Sequence, residues 1–264
     1  MNYGKSATMR RIRKFDSKGT KIKSKVKVLF CKFFLAIVIV FGAVGISSGI
    51  GVLNGIIDSA PDISAIDVTP TGYSSTVLAS NGEETATLVA SGANRQYATL
   101  DQIPIDLQHA FVAIEDERFY DHNGIDLYGI ARAFASGIKN GGDFDQGAST
   151  ITQQLVKLSH LSSQKTIARK LEEIWLALQL EQQFTKEEIL EMYLNYIYFG
   201  DGAYGVQAAA QAVYGVDAKA LSPAQAASLA AAIKAPSAYG ITSRPDANRE
   251  RRTYILNVMR QENM

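Results

Sequence analysis

The residues most able to do chemistry begin at the end of an apolar run. Glu115 follows Phe111-Val112-Ala113-Ile114 and opens the stretch Glu115-Asp116-Glu117-Arg118-Phe119-Tyr120-Asp121-His122-Asn123-Gly124. A carboxylate emerging at the edge of a hydrophobic cleft is partly desolvated, which suits it to general-base work; a solvated acidic helix end is the plainer alternative. Gln146-Gly147-Ala148-Ser149-Thr150-Ile151-Thr152-Gln153-Gln154 puts hydroxyls and free backbone N–H groups at a helix start, an arrangement that favours anions. Gln153 and Gln154 both donate and accept, as sugar recognition needs, although ordinary N-capping explains the segment equally well. Lys157, Lys165, Arg169 and Lys170 then fall within fourteen residues that contain no acid, a run suited to a diphosphate or, more simply, a solvated basic face. Glu173 is four residues after Arg169, so the two share a helix face and pair there.

These groups need a scaffold, and the periodicity predicts helices. Ile103, Leu107, Ala110, Phe111 and Ile114 recur at three- and four-residue spacing, with Pro104 in the first turn. Further helices are predicted near 126–139, 149–159, 166–183, 186–197, 204–213, 223–233 and 247–261. Thr185 with Glu188 and Ser222 with Gln225 read as capping boxes, with Pro223 at the first helical position. Residues 140–147 read as a mobile glycine-rich loop, suited to gating a growing product. Upstream, two β-prone runs, 75–80 and 85–90, flank Asn81-Gly82, a hairpin signal in which both turn residues tolerate positive φ. The segment Leu127-Tyr128-Gly129-Ile130-Ala131-Arg132-Ala133-Phe134 reads either as a core-facing helix or as one that dips into a bilayer surface.

The charge distribution constrains topology. Residues 1–32 hold eleven Lys/Arg and one acid, Asp16; the remainder carries sixteen Lys/Arg against twenty-five Asp/Glu. Between the halves, residues 33–57 contain no charge, and 25 residues at about 1.5 Å each cross a hydrocarbon core of about 30 Å. Basic residues before the span predict a cytoplasmic N-terminus and an extracytoplasmic remainder. The Pro61 context makes a poor cleavage site, so an uncleaved signal anchor is expected. The division expected is a basic cytoplasmic tail (1–32), a transmembrane anchor (33–57), a stalk and hairpin (58–99) and a mainly α domain (100–264). Cys31 is the sole cysteine, so no internal disulfide forms, and no Cys/His cluster suggests structural zinc. Beside a membrane span the basic run needs no nucleic-acid partner.

Five motifs together resemble glycosyltransferase family 51, the peptidoglycan glycosyltransferases. Glu115-Asp116 with Phe119, His122 and Gly124 is similar to the first signature, and residues 147–154 to the second. Arg169-Lys170 with Glu173 resembles the third, Lys186 through Ile189-Leu190 to Tyr193-Leu194-Asn195 the fourth, and Arg251-Arg252 with Ile255-Leu256 the last. They occur in order over residues 100–260.

The resemblance implies a lysozyme-like helical fold and roles for matching positions. Glu115 would be the catalytic base, and Glu173 the second acidic residue of the site, orienting cations or substrate. Lys157 and Lys165 would hold the donor pyrophosphate with Arg169 and Lys170 nearby; Ser149, Thr150, Gln153 and Gln154 would line the donor side. Asp116, Phe119, His122 and Asn195 would join the substrate-binding set. Lys165 stands where arginine is expected, keeping the charge but losing the bidentate fork. The implied reaction joins lipid II into β-1,4-linked strands with inversion and release of undecaprenyl pyrophosphate. It requires no cofactor, with magnesium or manganese as an auxiliary candidate. The implied partners are lipid II, the growing lipid-linked chain, membrane lipids, and a transpeptidase module or other wall-synthesis proteins. Two other functions share some of these features. A lysozyme-like lytic enzyme would use the fold and Glu115 but not the Lys157–Lys170 run, and a non-catalytic membrane scaffold would need neither.

Overall fold

The computed structural model describes residues 4–16, 18–59, 75–88, 94–139, 147, 149–160 and 166–264. The stalk expected at 58–73 lies almost wholly outside these residues, as do Lys165 and all of the glycine loop at 140–147 except Gly147. The chain divides into two compact units, residues 1–58 and 59–264.

The first unit holds α1 (Lys5–Asp16) and α2 (Lys18–Ser59). The uncharged run at 33–57 forms no separate element, because α2 continues through it from the basic stretch. Within α2, Lys25–Ser48 is long and apolar enough to cross a membrane.

The second unit opens with an antiparallel hairpin of β1 (Ser75–Leu78) and β2 (Glu84–Leu88). Its turn differs from the two-residue expectation. Gly82 N–H donates to Ala79 O, and Ala79 N–H donates to Glu83 O, which closes a three-residue loop. Only Gly82 has positive φ there (85°), the conformation a glycine adopts without steric cost.

The helices follow the predicted order: α3 (Ile105–Glu115), α4 (Leu127–Lys139), α5 (Ile151–His160), α6 (Ile167–Gln183), α7 (Lys186–Tyr196), α8 (Val206–Tyr214), α9 (Pro223–Ile233) and α11 (Pro245–Gln261). Pro104 stands immediately before α3 rather than inside it. Both predicted capping boxes form. Thr185 Oγ1 accepts from Glu188 N–H while Glu188 Oε2 accepts from Thr185 N–H, and Ser222 with Gln225 repeats the exchange.

A one-turn helix, α10 (Pro236–Tyr239), was not predicted. Nor was a small sheet of β3 (Asn94–Arg95), β4 (Tyr198–Gly200) and β5 (Ala203–Tyr204), in the order β3-β5-β4. Strands of two or three residues are too short for alternation to reveal.

The core is built where α3, α9 and α11 pack together and where α5 packs between α6 and α7. Alanines 226, 227, 230 and 231 of α9 are fully buried and let its neighbours approach closely. Phe111 of α3 meets Tyr193 and Phe199 edge-to-face at 6.2 and 6.0 Å. Burying a side chain of this size stabilises the fold by about 1.5–3 kcal/mol, so the end of α3 is firmly held.

Candidate active site

Glu115 is the last residue of α3, a helix whose Phe111, Val112 and Ala113 are buried. It is half-buried itself. Gln154 Nε2, from the middle of α5, donates to Glu115 Oε2 at 2.9 Å. Gln154 Oε1 accepts from the Tyr193 hydroxyl of α7 at 3.2 Å. Three helices thus meet at one carboxylate through a single hydrogen-bonded chain. The Tyr193 phenol is pushed well above the ordinary tyrosine range, first by burial and then by the nearby Glu115 and Asp116 carboxylates. It therefore keeps its proton across physiological pH.

Asp116 turns inward instead. Its Oδ2 accepts the Ile151 N–H at 2.9 Å, and His122 Nε2 lies 2.9 Å from Oδ1. A carboxylate on the first N–H of α5 satisfies an orphan donor and complements the helix dipole. Thr150 and Gln153 complete that cap: Thr150 N–H donates to Gln153 Oε1, and Gln153 N–H to Thr150 Oγ1, at 3.1 and 3.2 Å. The Thr150 hydroxyl donates to Gly124 O at 2.7 Å. Gly124 has φ 85°, and a Cβ there would stand 2.9 Å from Ala177 O, so this turn accepts only glycine.

Several side chains of the expected substrate-binding set lie inside the protein. Asp116, Thr150 and Gln153 are buried, with both Asp116 oxygens, the Thr150 hydroxyl and Gln153 Oε1 hydrogen-bonded inside the protein. Phe119 is a core residue, fully buried beneath the Lys186 ammonium at 4.3 Å from its ring. His122 pairs with Asp116. Asn195 is also internal: it accepts from Ala98 N–H at 2.9 Å and donates to Ala98 O and Glu191 O at 2.8 Å.

A second group forms on α6. Glu173 is 1% exposed. Arg169 Nη1 donates to its Oε2 at 2.9 Å, and Lys170 Nζ to its Oε1. Lys170 Nζ also donates to Ser149 Oγ at 2.9 Å, just ahead of α5. Thr166 caps α6 by accepting from Arg169 N–H at 3.1 Å. Two cations against one buried carboxylate leave a surplus positive charge. The Arg169 Nε, buried, makes no hydrogen bond among the described residues. Lys157 is exposed on α5, three residues beyond Gln154 and so on the same face. α5 therefore links the two groups, with Ser149 ahead of its start meeting Lys170 and Gln154 meeting Glu115.

Among the described residues, no group of three or more His, Cys, Asp or Glu side chains could hold a metal ion. Both Glu173 oxygens are taken by Arg169 and Lys170, so that carboxylate does not fit a resident divalent cation.

Comparison with known proteins matches residues 81–260 to the transglycosylase family model. The chain belongs to the transglycosylase family. Family membership accords with the mainly α, lysozyme-like architecture. Within the family, the chain is 41% identical over 256 residues to penicillin-binding protein 1A/1B of Bacillus subtilis (strain 168), covering 95% of this chain and 28% of that protein. It is 43% identical over 189 residues to penicillin-binding protein 1F of the same organism, covering 72% and 26%. To penicillin-binding protein 1A of Streptococcus oralis it is 40% identical over 243 residues, covering 91% and 36%. This transglycosylase-family chain thus spans between about a quarter and a third of these relatives' length.

Sequence reasoning gave Tyr193 no role beyond its place in the fourth motif. Its signal was a hydroxyl among Ile189, Leu190 and Leu194, on a helix face that is otherwise buried and apolar.

Proposed function

We propose that the chain is a peptidoglycan glycosyltransferase that polymerises lipid II into β-1,4-linked glycan and releases undecaprenyl pyrophosphate. The observation that carries this reading is the pairing, through α5, of a half-buried carboxylate bound by a neutral amide with a cation-rich cluster. Glu115 takes the proton of the acceptor sugar's 4-hydroxyl. That oxygen attacks the anomeric carbon of the donor as the bond from C1 to the phosphate oxygen breaks, and the bonding pair leaves with the pyrophosphate. One displacement inverts α to β. Arg169, Lys170, Lys157 and Lys165 neutralise the departing diphosphate, so no general acid and no cofactor are needed. A lytic enzyme has no use for that surplus of cations.

Membrane placement follows the same logic, since both substrates carry lipid tails. The chain is read as single-pass in the plasma membrane, with the basic N-terminus cytoplasmic and residues from 58 onward outside. α4 supports contact with the bilayer surface. Leu127, Phe134 and Ile138 recur at helical spacing and are 74%, 59% and 62% exposed, so burial in the core does not account for them. The wider partners, a transpeptidase module or other wall-synthesis proteins, belong to this proposal as well.

The test is direct. Detergent-solubilised protein is incubated with lipid II and glycan length is resolved on a gel, wild type beside Glu115→Gln. Polymer from the wild type alone supports both the reaction and its base. Shortening of preformed strands without polymerisation supports the lytic reading, and no reaction at all leaves the scaffold.

A further inference from the structure

Glu115 must change protonation state in each cycle of the reaction proposed above, and the group holding it must tolerate both states. An ionised carboxylate only accepts hydrogen bonds. Gln154 therefore has to turn its Nε2 toward Glu115, as it does at 2.9 Å. Its Oε1 is then committed to the opposite side, where the Tyr193 hydroxyl donates to it at 3.2 Å. Nothing in an amide distinguishes its two ends sterically. With Glu115 ionised, the direction observed is the one that satisfies both neighbours, Glu115 accepting and Tyr193 donating.

Tyr193 stands there with little freedom. It is fully buried, its ring is met edge-on by Phe111 at 6.2 Å, and Phe111 belongs to the same helix as Glu115. The hydroxyl, the amide and the carboxylate are thus tied to one frame of α3, α5 and α7. We infer that Tyr193 is a positioning residue for the transfer reaction, fixing through Gln154 the orientation of the Glu115 carboxylate. The inference rests on the reading of Glu115 as the base.

The hydroxyl does more than hold one arrangement. When Glu115 has taken the acceptor's proton it becomes a donor. A reversed amide then offers Oε1 to Glu115 and Nε2 to Tyr193, and the hydroxyl accepts as readily as it donated. The chain Tyr193–Gln154–Glu115 stays satisfied on both sides of the proton transfer. A phenylalanine at 193 leaves the buried end of the amide without a partner in either direction, and the carboxylate loses a donor that is always correctly turned.

The experiment is a double-mutant cycle with Tyr193→Phe and Gln154→Leu in the full chain, using lipid II polymerisation. Unfolding is followed in parallel by the fluorescence of Trp175. Tyr193→Phe is expected to lower kcat about tenfold, the equivalent of one hydrogen bond, while KM changes by less than about twofold. In the Gln154→Leu background the same substitution produces no further loss. An equal loss in both backgrounds, a loss in KM alone, or an unchanged rate overturns the inference. A wild type that makes no polymer overturns the functional reading and this inference together, whereas an active wild type with an unaffected Tyr193→Phe overturns this inference alone.

Discussion

Glu115 and Glu173 are both glutamates near the same helix, and their surroundings make them opposites. Glu115 is half-buried and, among the described residues, receives one hydrogen bond, from a neutral amide. Glu173 is 1% exposed and is held by a guanidinium and an ammonium. The first has a lone pair to offer a hydroxyl and, among the described residues, no ion pair with a cation. The second has both oxygens engaged by Arg169 and Lys170. The lesson is that acid type and spacing name the candidates, while the partners assign the roles.

The largest expected effect would sharpen this contrast. Glu115→Gln removes the base and keeps the shape, so polymerisation should fall by about a thousandfold or more, within the usual range of general-base contributions. Its unfolding midpoint should stay near that of the wild type, since no ion pair is lost. Gel assay and thermal denaturation on the same preparation check both halves. Residual activity near the wild-type level would remove Glu115 from the role of base.

Glu173→Gln should behave in the reverse way, acting first on stability. It leaves two cations facing a buried neutral amide, and breaking such a cluster costs about 3 kcal/mol, less whatever solvent recovers at the part-exposed Lys170. Denaturant unfolding measures the loss. A variant as stable as the wild type would mean that the cluster is organised for substrate alone. On the same side of the comparison, Arg169→Ala should raise KM for lipid II about tenfold with a smaller change in kcat, because the residue meets the donor's diphosphate in ground and transition states alike. Steady-state kinetics separate the two constants.

How much of this was legible beforehand differs between the two regions as well. The Arg169–Glu173 pair follows from helical spacing, and the structure forms it. The helix order and both capping boxes were equally readable, because they are local. The environment of Glu115 was legible only as the end of an apolar run. Its partners come from positions 39 residues away in Gln154, and 39 further on in Tyr193, and no local pattern encodes such meetings. The same reason hides the internal partners of Asp116, Thr150 and Asn195, which lie far along the chain. Polar residues in a motif look alike in sequence whether they face a ligand or cap a helix, and only burial tells them apart. The three-stranded sheet escaped notice because its parallel pair joins residues more than a hundred positions apart.

An intermediate effect concerns α4. Phe134→Gln with Ile138→Gln changes exposed side chains, so unfolding free energy should move by no more than about 0.5 kcal/mol. In vesicles, however, the rate on lipid-linked substrate should fall several-fold, as about two apolar anchors leave the bilayer surface. The same pair assayed in detergent micelles should lose less. Equal losses in both media would sever α4 from membrane contact.

The smallest expected effect is a slope, and it tests the Glu115 region without substrate. Burial and the two neighbouring carboxylates raise the Tyr193 phenol in the folded chain above its ordinary value of 10.0. The unfolded chain therefore releases that proton first as pH rises. Below pH 10 both states keep it and the group contributes no pH dependence. Above pH 10 the unfolded state is progressively favoured, and the contribution to stability is lost until the folded phenol also ionises. Wild type and Tyr193→Phe should thus differ by a constant from pH 7 to 9 and converge between pH 10 and 11, because only the wild type carries this buried phenol. Tyr120 and Tyr214 are also raised, but they are common to both chains and cancel in the difference. Denaturant unfolding at matched ionic strength measures the two curves. Parallel curves across pH 10 would mean that the phenol ionises without cost, which is incompatible with a hydroxyl buried beside two carboxylates.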